Sequence, residues 1–184
     1  MWLLCGLGNP EKKYEFTRHN LGFDIIDKII NSYNFKIIKK DQSVEVYRGD
    51  INERECLLCK PLTYMNRSGK PISKIANIYK VSLSKIIIIH DDLDLSLGKV
   101  KIKIGGGNAG HNGLLSIDEN IGKNYKRLRM GIGHPGMKEM VSSYVLEKFS
   151  KNDREIIDKK IELLIKYFSL IFDDDGLFLT KIAN

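Results

Sequence analysis

Residues 86 to 89 are four consecutive isoleucines, followed at once by His90, Asp91, Asp92 and, two places on, Asp94. A short run of β-branched residues bounded by polar turn chemistry reads as a strand buried on both faces, the kind found in the middle of an α/β sheet. In open α/β sheets, ligands gather beyond the carboxyl ends of the strands, so the acid at this strand end marks a candidate site.

The rest of the chain fits such a sheet. Residues 2 to 7 read as a first strand, and Ile25, Ile26, Ile29 and Ile30 recur at helical spacing in the segment that follows. Two strands near 44 to 50 and 55 to 60 flank a hairpin loop, and a helix through "ISKIANIYK" leads into the isoleucine strand. Beyond the aspartates, "GKVKIKIGGG" alternates, with Lys99, Lys101 and Lys103 on one face and Val100, Ile102 and Ile104 on the other. It runs into a glycine-rich loop before another helix. "KRLRMGIGHP" is a further strand with Arg127 and Arg129 on one side, and a last helix spans roughly 152 to 172. Strands and helices interleave without repeat or linker, which predicts one α/β domain over residues 1 to 184: three α/β/α layers around a mixed, twisted sheet.

Thirty Lys and Arg against 23 Asp and Glu leave a net charge of +7. That balance favours a polyanionic partner such as nucleic acid, although a solvated lysine-rich surface accounts for part of it. Cysteines at 5, 56 and 59 suit a reducing compartment. Cys56 and Cys59, three apart in a strand, point to opposite faces and fit packing better than a shared metal or redox role. No eighteen apolar residues run together and the start has no secretory pattern, so a cytoplasmic protein without membrane attachment is expected.

Several clusters carry chemistry. "GLGNPE" does not complete a dinucleotide fingerprint, because Glu11 stands at the third glycine and Pro10 lacks an N–H. Its glycines fit a sharp turn that exposes Asn9 at the strand end. His19 lies in the polar loop "TRHNLG"; it suits a general base if a carboxylate fixes its tautomer, and Asp91 is the candidate. A competing reading gathers Asp91, Asp92 and Asp94 around a divalent cation. Asn66, beside Tyr64 and Met65, and Asn112, beside His111, can donate to a developing oxyanion or hold a water, or can simply form turns. No Ser or Cys stands in a nucleophile elbow, which favours water as nucleophile. A base, its carboxylate, amides and a basic stripe describe hydrolysis of a carbonyl attached to a polyanion.

The segments "GLGNPEKKYEFTRHNLGF", "KPLTYMNRSG", "HDDLDLSLGKVKIKIGGGNAGHNGLLSI" and "RLRMGIGHP", in order across residues 6 to 136, resemble the bacterial peptidyl-tRNA hydrolases. Members cleave the ester between a peptide and the 3′-terminal ribose of tRNA, recycling the tRNA. The resemblance implies a monomer without metal or cofactor, with peptidyl-tRNA as partner. It implies His19 as catalytic base, Asp91 as its stabiliser, and Asn9 as the residue that tells blocked from free aminoacyl esters. Tyr14, Tyr64, Asn66 and Asn112, with neighbouring Met65 and His111, match substrate contacts, and Lys103 and Arg129 a clamp on the tRNA 5′ phosphate. Departures are Glu11 for a usual glycine, Ser96 for a usual proline, and Asn108 and Ala109 in the glycine loop, where Ala109 resists the positive φ a glycine takes freely. Residues 137 to 184 match loosely. Two further readings stay open: a noncatalytic RNA-binding module, and a metal-dependent nuclease built on "HDDLD".

Overall fold

The computed structural model describes residues 1–183; Asn184, the last residue of the expected domain, lies outside the described residues. In chain order the elements are β1 (Trp2–Gly6), α1 (Leu21–Tyr33), β2 (Lys36–Lys40), β3 (Val44–Ile51), β4 (Arg54–Pro61), α2 (Gly69–Ile78), β5 (Ile86–Asp92), β6 (Val100–Ile104), α3 (Asn112–Ile121), β7 (Lys126–Gly131), α4 (Val141–Leu146), α5 (Lys151–Lys166) and α6 (Asp175–Lys181). The seven strands form one mixed sheet in the order β2-β3-β4-β1-β5-β7-β6. β1 runs parallel to β4 and β5, and β5 parallel to β7, while β2, β3 and β6 are antiparallel to their neighbours.

The isoleucine run is where its composition requires it to be. Ile87 and Ile89 face a layer built on Ile25, Ile26 and Ile29 of α1 and Ile157, Ile161 and Leu164 of α5. Ile86 and Ile88 face the other layer, built on Ile72 and Ile75 of α2 and Leu114 and Ile117 of α3. All four isoleucines are buried to within 1 %. Cys56 belongs to the first layer and Cys59 to the second, and both are free, buried thiols. No helix among the described residues is long and apolar enough to cross a membrane.

Three elements depart from the sequence pattern. The expected helix of 152 to 172 stops at Lys166: Tyr167 leaves helical geometry at φ −111°, and Phe168–Phe172 continue as a 3-10 turn that buries Phe168, Ile171 and Phe172. Lys36–Lys40 forms an outer edge strand, in which the adjacent Ile37 and Ile38 are half exposed at a register shift instead of alternating. The glycines of "GLGN" are not needed for a turn conformation, since neither has a positive φ. They allow close approach: a Cβ on Gly6 would lie 2.2 Å from the Gly22 carbonyl oxygen, and one on Gly8 would lie 2.6 Å from the Phe23 ring. α1, and the loop leading into it, can therefore press against the carboxyl end of the sheet.

Candidate active site

Asp91 sits at the carboxyl end of β5, 2 % exposed, where both helical layers meet the sheet edge. His19 reaches it from the short turn before α1, and His111 from the residue preceding α3 on the opposite face. His19 Nδ1 lies 3.0 and 2.9 Å from the two Asp91 oxygens, and His111 Nε2 lies 3.0 Å from Oδ1. His111 Nδ1 accepts from the N–H groups of Gly113 and Leu114, so its hydrogen is on Nε2 and is donated to Asp91. His19 likewise turns an Nδ1–H to the carboxylate, which leaves the Nε2 lone pair for the cavity that His19 lines.

The amide of Asn9 is fixed from two sides. Its Oδ1 accepts from the Met65 N–H at 2.9 Å, so its NH2 group is the end left over, and among the described residues no protein group takes it. Asn20 holds the Asn9 backbone, accepting its N–H at 2.8 Å and donating to its carbonyl at 2.9 Å. Asn20 is 3 % exposed and went unremarked in the sequence; its position directly after His19 at the start of α1 was the available signal. Arg18 is also buried and ties the His19 turn to α4, donating to the carbonyls of Tyr144 and Glu147 while stacking 3.9 Å from the Tyr144 ring centroid.

Burial opposes a charge on His19, but the Asp91 charge and hydrogen bond outweigh it and raise the imidazole above its ordinary value of 6.5. Burial would also push the Asp91 carboxyl up; the charges and hydrogen bonds of His19 and His111 instead hold it far below the usual carboxylate range. His90, buried on the same strand, is driven down to about 3 by burial and by neighbouring His111, so it stays neutral. His19, Asp91 and His111 do bring three potential metal-ligand atoms within 4.8 Å of one another. Their hydrogen bonds are the wrong kind, however: a metal needs imidazole lone pairs where His111 and His19 direct N–H groups. The alternative cation set built on Asp92 and Asp94 does not converge either. Asp92 accepts from Arg129 Nε at 2.7 Å and from the Asp94 N–H at 2.9 Å, and Asp94 is exposed.

These groups border a cavity of about 700 Å³ that also touches Tyr64, Met65, Asn66, Asn112, Lys103 and Arg129. Tyr64 is 49 % exposed at its mouth and bonded through its hydroxyl to Glu11, the residue that stands in place of a glycine. Lys103 on β6 pairs with Arg127 on β7, and Lys101 with Arg129, so the basic stripe continues across two strands. Arg127 is nonetheless buried, donating to the carbonyls of Gly106 and Gly107 beneath the glycine-rich loop. Tyr14 is not part of the cavity wall; its carbonyl accepts from the Thr17 hydroxyl and N–H. Val141, Val145 and Leu146 of α4, in the loosely matching stretch, form an apolar wall that sequence pattern did not foresee.

The family model described as peptidyl-tRNA hydrolase matches residues 3–183. The peptidyl-tRNA hydrolase of Ehrlichia ruminantium (strain Welgevonden) is 45 % identical over 183 residues, 99 % of this chain and 94 % of the relative. That of Rickettsia canadensis is 43 % identical over 175 residues, 95 % of each chain. The crystal structure of the Arg119Gln mutant of the Acinetobacter baumannii peptidyl-tRNA hydrolase superposes with a TM-score of 0.93 at 38 % identity, covering 99 % of this chain and 94 % of that one. With a buried His–Asp pair at a strand end and these likenesses over nearly its whole length, the chain belongs to the peptidyl-tRNA hydrolases, hydrolases that act on ester bonds.

Proposed function

We propose that His19 is the general base of this ester hydrolysis, acting on the bond between a peptide and the 3′-terminal ribose of tRNA. The observation that carries the reading is the fixed tautomer: Asp91 holds the Nδ1–H and leaves Nε2 to the cavity. Nε2 takes a proton from water as its oxygen attacks the ester carbonyl carbon. The carbonyl oxygen gains the negative charge, and the Asn9 NH2 group, oriented by Met65, is the donor for it. On collapse the ribose oxygen leaves and takes the proton back from His19, so the base is regenerated and peptide acid and free tRNA depart.

Tyr64, Met65, Asn66 and Asn112 contact the peptide and the tRNA end, and Lys103 and Arg129 take the 5′ phosphate. Their place around one cavity supports this reading. Tyr14 stands outside that wall, and the cavity lends no support to a substrate contact by it. Arg129 must then exchange Asp92 for phosphate or engage both, since its Nε is already bonded to Asp92. Residues 1–184 act as one monomeric, RNA-binding domain in cytoplasmic tRNA recycling.

The deciding experiment is peptide release from N-acetyl-aminoacyl-tRNA, with free aminoacyl-tRNA in parallel and EDTA throughout. The expected result is EDTA-resistant cleavage of the blocked ester alone. Binding of tRNA without cleavage would overturn the reading, and loss of activity in EDTA would reopen the cation.

A further inference from the structure

Both ring nitrogens of His111 are engaged: Nδ1 accepts from the first amides of α3, and Nε2–H donates to Asp91 Oδ1. Only its ring faces remain for substrate, and those are partly taken by His19 at 4.9 Å and His90 at 5.1 Å between centroids. A carboxylate that accepts from a second donor is a weaker acceptor for the first, because the same charge is stabilised twice. We propose that His111 is a positioning residue that shares Asp91 with His19 and so moderates the basicity of His19, while tying the start of α3 to the catalytic carboxylate. The inference rests on the reading of His19 as base.

Other charged and titratable groups near the pair do not substitute for His111. Arg18 points away to carbonyls of the α4 segment, and Arg129 is committed to Asp92 on the next residue of β5. His90 gives its Nδ1–H to the Asp91 backbone carbonyl, not to its side chain. Lys103, Lys138 and His134 border the cavity from the glycine-loop side and from near α4, and have no hydrogen bond to Asp91 among the described residues.

The two roles of His111 can be separated by substitution. In His111→Asn, the side-chain oxygen stands near the Nδ1 position and keeps the helix cap, but is too short to reach Asp91. In His111→Gln, the amide nitrogen stands near the Nε2 position and keeps the donor, but the cap is lost. The expected result for His111→Asn is an upward shift of His19, read by NMR titration of its Cε1–H without substrate, of about half to one pH unit. The acid limb of kcat/KM should move up with it by the same amount. His111→Gln should leave the His19 titration near native and lower the melting temperature instead.

A His19 midpoint in His111→Asn within about 0.2 unit of the native one, or equal shifts in both variants, would overturn the sharing of Asp91. A shift by NMR that the kinetic limb does not follow would support the sharing and overturn His19 as base. The two readings therefore fail separately.

Discussion

The corner that holds His19 and the loop that leads into α3 border the same cavity, yet they are built on opposite terms. In the corner, Asn9, His19, Asn20 and Asp91 are all buried; hydrogen bonds tie Asn9 to Asn20 and Met65, and His19 to Asp91. In the loop, Gly106, Gly107, Ala109 and Gly110 are exposed, and three of these four have positive φ. Its main restraint from outside is Arg127, which grips two of its carbonyls from below. Bond-breaking gains from groups fixed within tenths of an ångström, because reorganisation at the moment of reaction costs rate. Holding a phosphate backbone asks less of geometry: a long lysine and an open loop suffice, since the attraction is largely that of charge.

If this division is right, mutations in the corner strike the chemical step and mutations by the loop strike binding. The largest effect is expected for His19→Ala, a fall in kcat of about 10³-fold, with Asp91→Asn close behind because it removes the charge that fixes the tautomer. Single-turnover hydrolysis checks both, and far-UV circular dichroism should show the fold retained. The sign of the pH dependence follows from the same pair. His19 is raised above 6.5, and it works as a base only when deprotonated, so kcat/KM should fall below a midpoint that lies above 6.5. The stability the pair adds through His19 is present below the unfolded histidine value and lost as pH rises through the midpoint of folded His19. That added through the depressed Asp91 carboxyl is present above the unfolded carboxyl value and lost in strong acid.

Next in size comes Asn9→Ala, with an expected loss of about 10²-fold in kcat as the oriented NH2 group disappears. Asn20→Ala should cost about tenfold through the same residue, since Asn20 holds the Asn9 backbone and does not line the cavity. If Asn20→Ala raised KM and left kcat alone, the corner would not be the preorganised unit described here.

Much of this corner was legible in the sequence because each part carries a local signal. An apolar run that ends in acid gives the strand end, and a histidine in a polar loop gives the candidate base. The two-layer burial of residues 86 to 89 follows from β-branched residues with no polar alternation. What was not legible depended on placement across the sheet. His111 meets Asp91 only because α3 starts on the face opposite α1, a fact of topology that no spacing encodes. The alternation of "KRLR" puts Arg127 and Arg129 on one face of the same cavity, but cannot say that the glycine loop folds over the first and buries it while the second stays half-buried. Edge strand β2 escaped for a related reason: with both isoleucines half exposed there is no buried face to impose a period of two.

On the binding side the effects should be smaller and of another kind. Lys103→Ala is expected to raise KM about tenfold with kcat unchanged, and to flatten the salt dependence of KM by about one phosphate contact. A drop in kcat instead would mean that the lysine helps to position the ester, and the division between corner and loop would blur. Lys103 is placed partly by the loop itself: a Cβ on Gly106 would lie 2.6 Å from the lysine Nζ.

The smallest effect is also the most local test of the loop. Ala109 has φ +50°, a left-handed conformation that costs an alanine on the order of 1 kcal/mol and costs glycine almost nothing. Glycine also adds freedom to the unfolded chain, which offsets part of the relief. Ala109→Gly should therefore stabilise the protein by about 0.5 kcal/mol in urea unfolding. A Cβ at neighbouring Gly110 would meet nothing within 4 Å, so it is backbone conformation and not crowding that governs this turn. The loop should tolerate the change without loss of kcat, because the buried His19, Asp91 and Asn9 come from elsewhere in the fold. An Ala109→Gly variant that lost kcat would show that the strained alanine holds Asn112 and His111 in line, and that loop and corner form one rigid site.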